Sequence, residues 1–312
     1  MEKKSFIVGV GLAIVAIGLM TGCSNTPLLP NVGSEKIKVV ASFYPVANFV
    51  RQVAGDRAEV SVVIPEGMEP HDYEPKPHEI TQIFDSRLFV YNGAGLEPWA
   101  DRIRSELEAK AIQVLRLSDS VELLSGVSGQ KTENEMQSDP HIWLDPVSAQ
   151  KQVESIRDAL VSIDPSHASD YRENSADFVK KLGSLDADFS KGLSSCEHDT
   201  VLLSHAAFQY LAKRYGFKTM SISGLSPEEE PSPGDFADLV DVAKGKGIHY
   251  IFFEKRANPK LAETLASEIK GETLDMFHID GGFTPEEAMN PNLYLEQMRL
   301  NLQQLRKALG CD

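Results

Sequence analysis

The chain has 312 residues, with 31 Lys and Arg against 46 Asp and Glu, for a formal charge of −15. So acidic a surface argues against nucleic acid or anionic lipid as a direct partner and is compatible with a cationic ligand. The length suffices for one large domain or two lobes.

Residues 1–22, MEKKSFIVGVGLAIVAIGLMTG, read as a signal segment. Lys3 and Lys4 make a basic start, and the apolar run from Phe6 to Met20 falls short of the ~20 residues that a comfortable membrane span needs. LMTGC resembles a lipobox with Met20 at its apolar position, which implies that Cys23 is lipidated and begins the mature protein. Residues 23–35 are polar and turn-rich, as a tether should be. Residues 1–22 hold one Glu and two Lys, so the chain without them carries −16. The expected location is the outer face of the cell membrane, through the lipid, or the periplasm.

The predicted N-terminal lobe covers 36–163. KIKVVASFY (36–44) is a buried strand, a second follows at Ala58–Ile64, and SRLFVYNG (86–93) is a third that ends at glycine. Helical patterns lie between and after them, at 45–55, 77–86 and 99–110. Alternating strands and helices with short turns predict an α/β lobe with a parallel sheet. The linking segment, 164–195, begins with Asp164 as a cap and Pro165 at the first helical position. Tyr171, Phe178, Leu182, Leu185 and Phe189 recur at close to 3.5 residues, so a helix of about 25 residues, on the order of 40 Å, joins the lobes as a rigid strut.

The C-terminal lobe, 196–312, repeats the texture: DTVLLSHAAFQYLAKRYG (199–216) and HYIFFEKRANPKLAETLASEIKG (249–271) each give strand, loop and helix. VVASFYPVANFVRQVAG (39–55) and VLLSHAAFQYLAKRYG (201–216) share an order of strand, serine, aromatic turn, helix and glycine, which predicts two lobes of related build. With Cys23 lipidated, Cys196 and Cys311 are an even pair in an oxidising compartment, and a disulfide between them is expected.

Four side chains stand out as metal donors. His71 lies in GMEPHDYEPKP (67–77), where prolines at 70, 75 and 77 stiffen a loop. His141 lies in SDPHIWLDP (138–146), ahead of a helix started by Asp145 and Pro146. His205 sits just past a strand, and Asp275 lies in ETLDMFHIDGG (272–282), with His278 and Asp280 as rival donors beside it. All four belong to the edge of an α/β sheet where ligands bind, and three imidazoles with a carboxylate, two per lobe, suit a four-ligand site. Glu69, Asp139 and Asp145 are the candidates to orient the histidines. His167, His198 and His249 have the settings of a helix-face, a surface-loop and a strand-edge residue.

PHDYEPKP, DPHIWLDP, SHAAFQYLAKRYGF and GLSPEEEPSP, in that order behind a lipobox, resemble the zinc/manganese solute-binding lipoproteins of ABC importers, the cluster A-I family, from residue 36 to the C-terminus. The resemblance implies two α/β lobes joined by one rigid helix, with the metal in the cleft between them and little movement on binding. It implies His71, His141 and His205 as ligands, with Asp275 fourth in a less tidy stretch. Many zinc-importing relatives carry a His-rich loop between the first two ligand motifs, whereas residues 122–139 here contain no histidine and read as a mobile polar loop.

The expected function is capture of a divalent ion, most of all zinc with manganese as the alternative, for a membrane permease. The expected partners are the permease, the ion and the membrane through Cys23, with no nucleic acid, and the expected state is a monomer. A zinc hydrolase would need an open three-ligand site with a Glu base, and the chain has no HExxH, GxSxG or phosphate-cradling glycine loop. A surface adhesin is a third reading, as a second role.

Overall fold

The computed structural model describes Met1 and residues 36–125, 138–227, 231–253 and 260–312. The signal segment, the tether with Cys23, residues 126–137 of the polar loop, residues 228–230 and Pro259 lie outside the described residues.

The first lobe alternates β1 (Ile37–Ala41), α1 (Tyr44–Ala54), β2 (Ala58–Val62), α2 (Pro77–Phe84), β3 (Leu88–Tyr91), α3 (Pro98–Ala109) and β4 (Gln113–Arg116). Its sheet has the order β2-β1-β3-β4, with every pair parallel. Two long helices follow, α4 (Pro146–Ile163) and α5 (Ala168–Gly192). The second lobe runs β5 (Thr200–Leu203), α6 (Gln209–Tyr215), β6 (Lys218–Ser221), α7 (Pro233–Gly245), β7 (Tyr250–Phe253), α8 (Lys260–Ile269) and β8 (Glu272–Asp275), then α9 (Pro285–Ala288) and α10 (Leu293–Leu309). Its order, β6-β5-β7-β8, again all parallel, is the same as that of the first sheet. The central strands are apolar on both faces because helices cover both sides; β3 is buried along its whole length. β4 and β6, absent from the sequence reading, are four-residue edge strands only partly covered, with Gln113, Arg116 and Lys218 at their ends.

The strut begins three residues later than its cap pattern suggests. Residues Pro165–His167 form a short 3₁₀ turn, and α5 starts at Ala168. The Asp164 carboxylate makes no backbone cap; it accepts from His167 Nδ1 at 2.7 Å, Tyr171 Oη at 2.6 Å and Ser166 Oγ at 2.6 Å. The buried stripe is the expected one, Tyr171, Phe178, Leu182, Leu185 and Phe189, with Ser175 added. Both α1 and α4 from the first lobe pack on it, as does α10 from the second. The approach at α10 is close: a Cβ on Gly192 would meet Leu302 Cδ1 at 3.1 Å.

One apolar core runs from the first sheet through α5 into the second lobe, and it includes Phe43, Trp143, Phe178 and Tyr294. A smaller core under α7 and α8 gathers Leu202, Ile222, Val240, Ile251 and Leu265. Cys196 and Cys311 are bridged across 115 residues of chain. Flanking backbone bonds, His198 N–H to the Leu309 carbonyl at 2.9 Å and Glu197 N–H to Gly310 at 3.2 Å, hold the chain end against the start of this lobe.

Candidate metal centre

His71 sits on a 3₁₀ turn, Pro70–Asp72, between β2 and α2. Pro70 presets φ at the turn's first position, and the Glu69 carboxylate accepts the His71 backbone N–H at 3.3 Å. Below the turn, Tyr73 donates to Glu79 at 2.8 Å, and Glu79 also takes the Lys76 N–H at the start of α2. The loop is therefore tied down locally even though it is too proline-rich for a longer element.

His141 precedes a 3₁₀ turn, Ile142–Leu144, that leads into α4, and it is 1% exposed. Asp139 Oδ1 takes its backbone N–H at 2.9 Å and meets its Nδ1 at 2.8 Å. A carboxylate only accepts, so Nδ1 carries the proton and Nε2 presents its lone pair. Asn92 Nδ2 donates to the Pro140 carbonyl at 2.9 Å, and the fully buried Glu97 accepts the N–H groups of Asn92 and Gly93, both at 2.9 Å. Burial pushes the Glu97 carboxyl up to about 7.

His205 follows β5 from the other lobe and is 2% exposed. It does not cap the next helix: the residue at that position of α6 is Phe208. Burial first, and then the neighbouring imidazoles of His278, His141 and His71, hold its pKa well below the ordinary histidine value. A neutral imidazole is the form that binds a metal.

These three side chains converge. The donor atoms of His71, His141 and His205 all lie within 4.8 Å of one another, the only such group among the described residues. Nε2 of His71 is 3.3 Å from Nε2 of His141. Two nitrogens bound tetrahedrally at ~2.0–2.1 Å from one zinc ion stand about 3.4 Å apart, so the spacing fits a shared ion. Asp275, the fourth residue expected from the sequence, ends β8, is half-buried and does not join this group. The chain beyond β8 supplies the nearer neighbour: the His278 ring stacks on His205 with centroids 4.3 Å apart, and Asp280 is buried two residues further on. His167 pairs with Asp164, and His198 and His249 are exposed on the far edge of the second sheet, so these three stay outside the site.

Of the three carboxylates expected to orient histidines, Asp139 meets Nδ1 of His141 and Glu69 accepts the backbone N–H of His71. Asp145 has another task. It caps α4, with Oδ2 taking Ser148 N–H at 3.1 Å, and pairs with Arg214 of α6 at 2.7 Å, which ties the two lobes together. Other cross-lobe bonds lie close by. Trp143 Nε1 donates to the His278 carbonyl at 2.7 Å, and Tyr210 Oη donates to the Asp139 carbonyl at 2.7 Å.

Residues 39–308 match the family described as zinc-uptake complex component A, periplasmic (ZnuA). The chain belongs to this family. It is 34% identical over 313 residues to the high-affinity zinc uptake system protein ZnuA of Bacillus subtilis, covering 96% of this chain and 97% of that protein. It is 35% identical to the zinc-binding lipoprotein AdcA of Streptococcus pneumoniae over 98% of its own length, but spans only 61% of AdcA. Among solved structures, Zn(II)-bound AdcA superposes with a TM-score of 0.77 at 37% identity, over 88% of this chain and 58% of that one. The laminin-binding protein Lmb of Streptococcus agalactiae, described as an adhesin with metal-transporting activity, gives 0.78 at 30% identity over 88% of this chain and 100% of its own. The ZnuA-family fold of two parallel-sheet α/β lobes is therefore the one that the sequence motifs imply.

Proposed function

We propose that this protein captures a zinc ion outside the cell and hands it to the membrane permease of an ABC importer. The observation that carries the reading is the convergence of three imidazoles from both lobes, one with its Nδ1 held by Asp139 and its Nε2 3.3 Å from Nε2 of His71. His71, His141 and His205 are the protein ligands. The fourth donor comes from the chain after β8, where Asp280 is buried two residues past His278, or from water. The names of the relatives support zinc as the cargo, and a nitrogen-rich site favours zinc over manganese, a harder ion that prefers oxygen donors. Lipid on Cys23, an extracytoplasmic location and a monomeric state complete the proposal.

Counting ligands does not by itself separate a binding protein from a zinc hydrolase, because Asp275, the fourth ligand expected from the sequence, lies outside the group. Family membership argues for transport, as does the absence of an HExxH helix.

Elemental analysis of the protein purified without added metal tests the proposal. One zinc per chain is expected, lost in His141→Ala; one manganese would change the cargo, and no bound metal in a folded protein would overturn the reading. His205→Glu should lower zinc affinity far more than manganese affinity, because oxygen replaces nitrogen. Metabolic labelling with a fatty-acid analogue should mark the wild type and spare Cys23→Ser.

A further inference from the structure

The two histidines that face each other across the lobes are held in different ways. Asp139 fixes the His141 ring through Nδ1. The Nδ1 of His205 is buried with no hydrogen-bond partner among the described residues, so no carboxylate or carbonyl sets the direction of that ring. A metal-bound imidazole normally donates its second nitrogen to such a partner. Something else must stop the His205 ring from turning, or its lone pair would not be aimed at the ion.

The His278 ring occupies that place. It is 3% exposed and lies against His205 with centroids 4.3 Å apart and planes inclined by only 29°, while Phe208 packs on the His278 ring with centroids 5.0 Å apart. We infer that His278 is a positioning residue for the metal site, which holds the His205 imidazole in its ligating orientation by face-to-face stacking. The inference rests on the reading of His205 as a ligand.

Geometry separates this role from that of an extra ligand. An ion bound to an imidazole lies in the ring plane, so rings sharing one ion aim their edges at a common point. His71 and His141 do this, with planes at 46° and nitrogens 3.3 Å apart. Near-parallel rings at 4.3 Å direct their edges side by side instead, and His278 is not in the group of converging donors.

The backbone around His278 is built to keep it there. Its carbonyl takes the Trp143 indole N–H at 2.7 Å, which ties it to the segment that carries His141. Ile279, the next residue, has φ of +60°, a left-handed conformation that is strained for a β-branched residue. Gly282 then turns the chain away with φ of +81°.

The test compares His278→Ala and His278→Phe in the full chain, by chelator competition for zinc and by X-ray absorption at the zinc edge to count imidazole ligands. The Ala variant is expected to bind zinc ~10- to 100-fold more weakly, as when an orienting partner of a ligand is lost, with the imidazole count unchanged. The Phe variant, which keeps a flat ring but no nitrogen, is expected to recover most of that loss. If Ala binds as the wild type, or if either variant loses one imidazole from the count, the inference is overturned. Should the larger Phe ring not be accommodated, the Ala variant decides alone: weaker binding with an unchanged count supports the role, and a lost imidazole overturns it. His205→Ala run in parallel separates the two levels. Zinc binding that survives it removes the site itself, whereas binding lost there but untouched in His278→Ala removes only the positioning role.

Discussion

The two halves of the site solve one problem with different chemistry. In the first lobe, hydrogen bonds aim the proposed ligand: Asp139 holds His141, Asn92 holds Pro140, and Glu97 holds the backbone at Asn92 and Gly93. In the second lobe, the His278 ring stacks on His205, and Phe208 packs on His278 in turn. A hydrogen-bonded ligand is directed by a few short contacts and fails when one acceptor is lost. A packed ligand is directed by shape, and tolerates a change of atom type but not of volume.

The comparison breaks most sharply if the two ligands differ in worth. His141→Ala and His205→Ala should each weaken zinc binding by on the order of 100-fold or more, since a structural zinc site distributes roughly 10–16 kcal/mol over about four donors. Isothermal titration or chelator competition measures both, and a loss in one variant alone would mean that the ion rests on a single lobe.

The lobes also differ in covalent support. Only the second has a bridge, and Cys196→Ser with Cys311→Ser should cost about 2–5 kcal/mol, read by denaturant unfolding. Zinc affinity should hold, because the bridge lies at the opposite edge of the sheet from His205.

The first lobe has the buried carboxyl instead. With Glu97 pushed up to about 7, the folded state keeps a proton that the unfolded chain releases near pH 4.3. Its stabilising effect is complete below that lower value and is lost as pH rises through 7, by up to about 4 kcal/mol. Unfolding of metal-free protein between pH 5 and 8 should show this decline, and Glu97→Gln should flatten it.

Asp139→Asn should weaken zinc binding ~10- to 100-fold without unfolding the lobe. This sharpens the contrast, because His278→Phe, which removes polar atoms from the other lobe, should cost much less. The smallest effect expected is on overall shape. The shared core, α5 and the Asp145–Arg214 pair tie the lobes together, so scattering profiles with and without zinc should nearly superimpose.

Much of the fold was legible in the sequence because its signals are local. Apolar β-branched runs marked β1, β2, β3, β5 and β7, and the stripe from Tyr171 to Phe189 marked α5 with its buried face. β4 and β6 were not legible, since short edge strands bury too little to leave an apolar pattern. Asp164 misled as a cap because its carboxylate is taken by Tyr171 and His167, partners that appear only when the turn folds back on α5.

The site divides in the same way. His71, His141 and His205 could be singled out by sequence because proline-stiffened loops and strand ends give a histidine an unusual setting within a few residues. Asp139, two residues from His141, was within reach of the same local argument. Whether Asp275, His278 or Asp280 completes or supports the site depends on how the chain turns after β8, and that turn is set by Trp143 more than 130 residues away. Local sequence thus determines which residues have the chemistry to hold an ion, through propensity and the stiffness of the backbone. Which of them meet, and which ring braces another, depends on packing between lobes, where each contact joins residues that no sequence spacing relates.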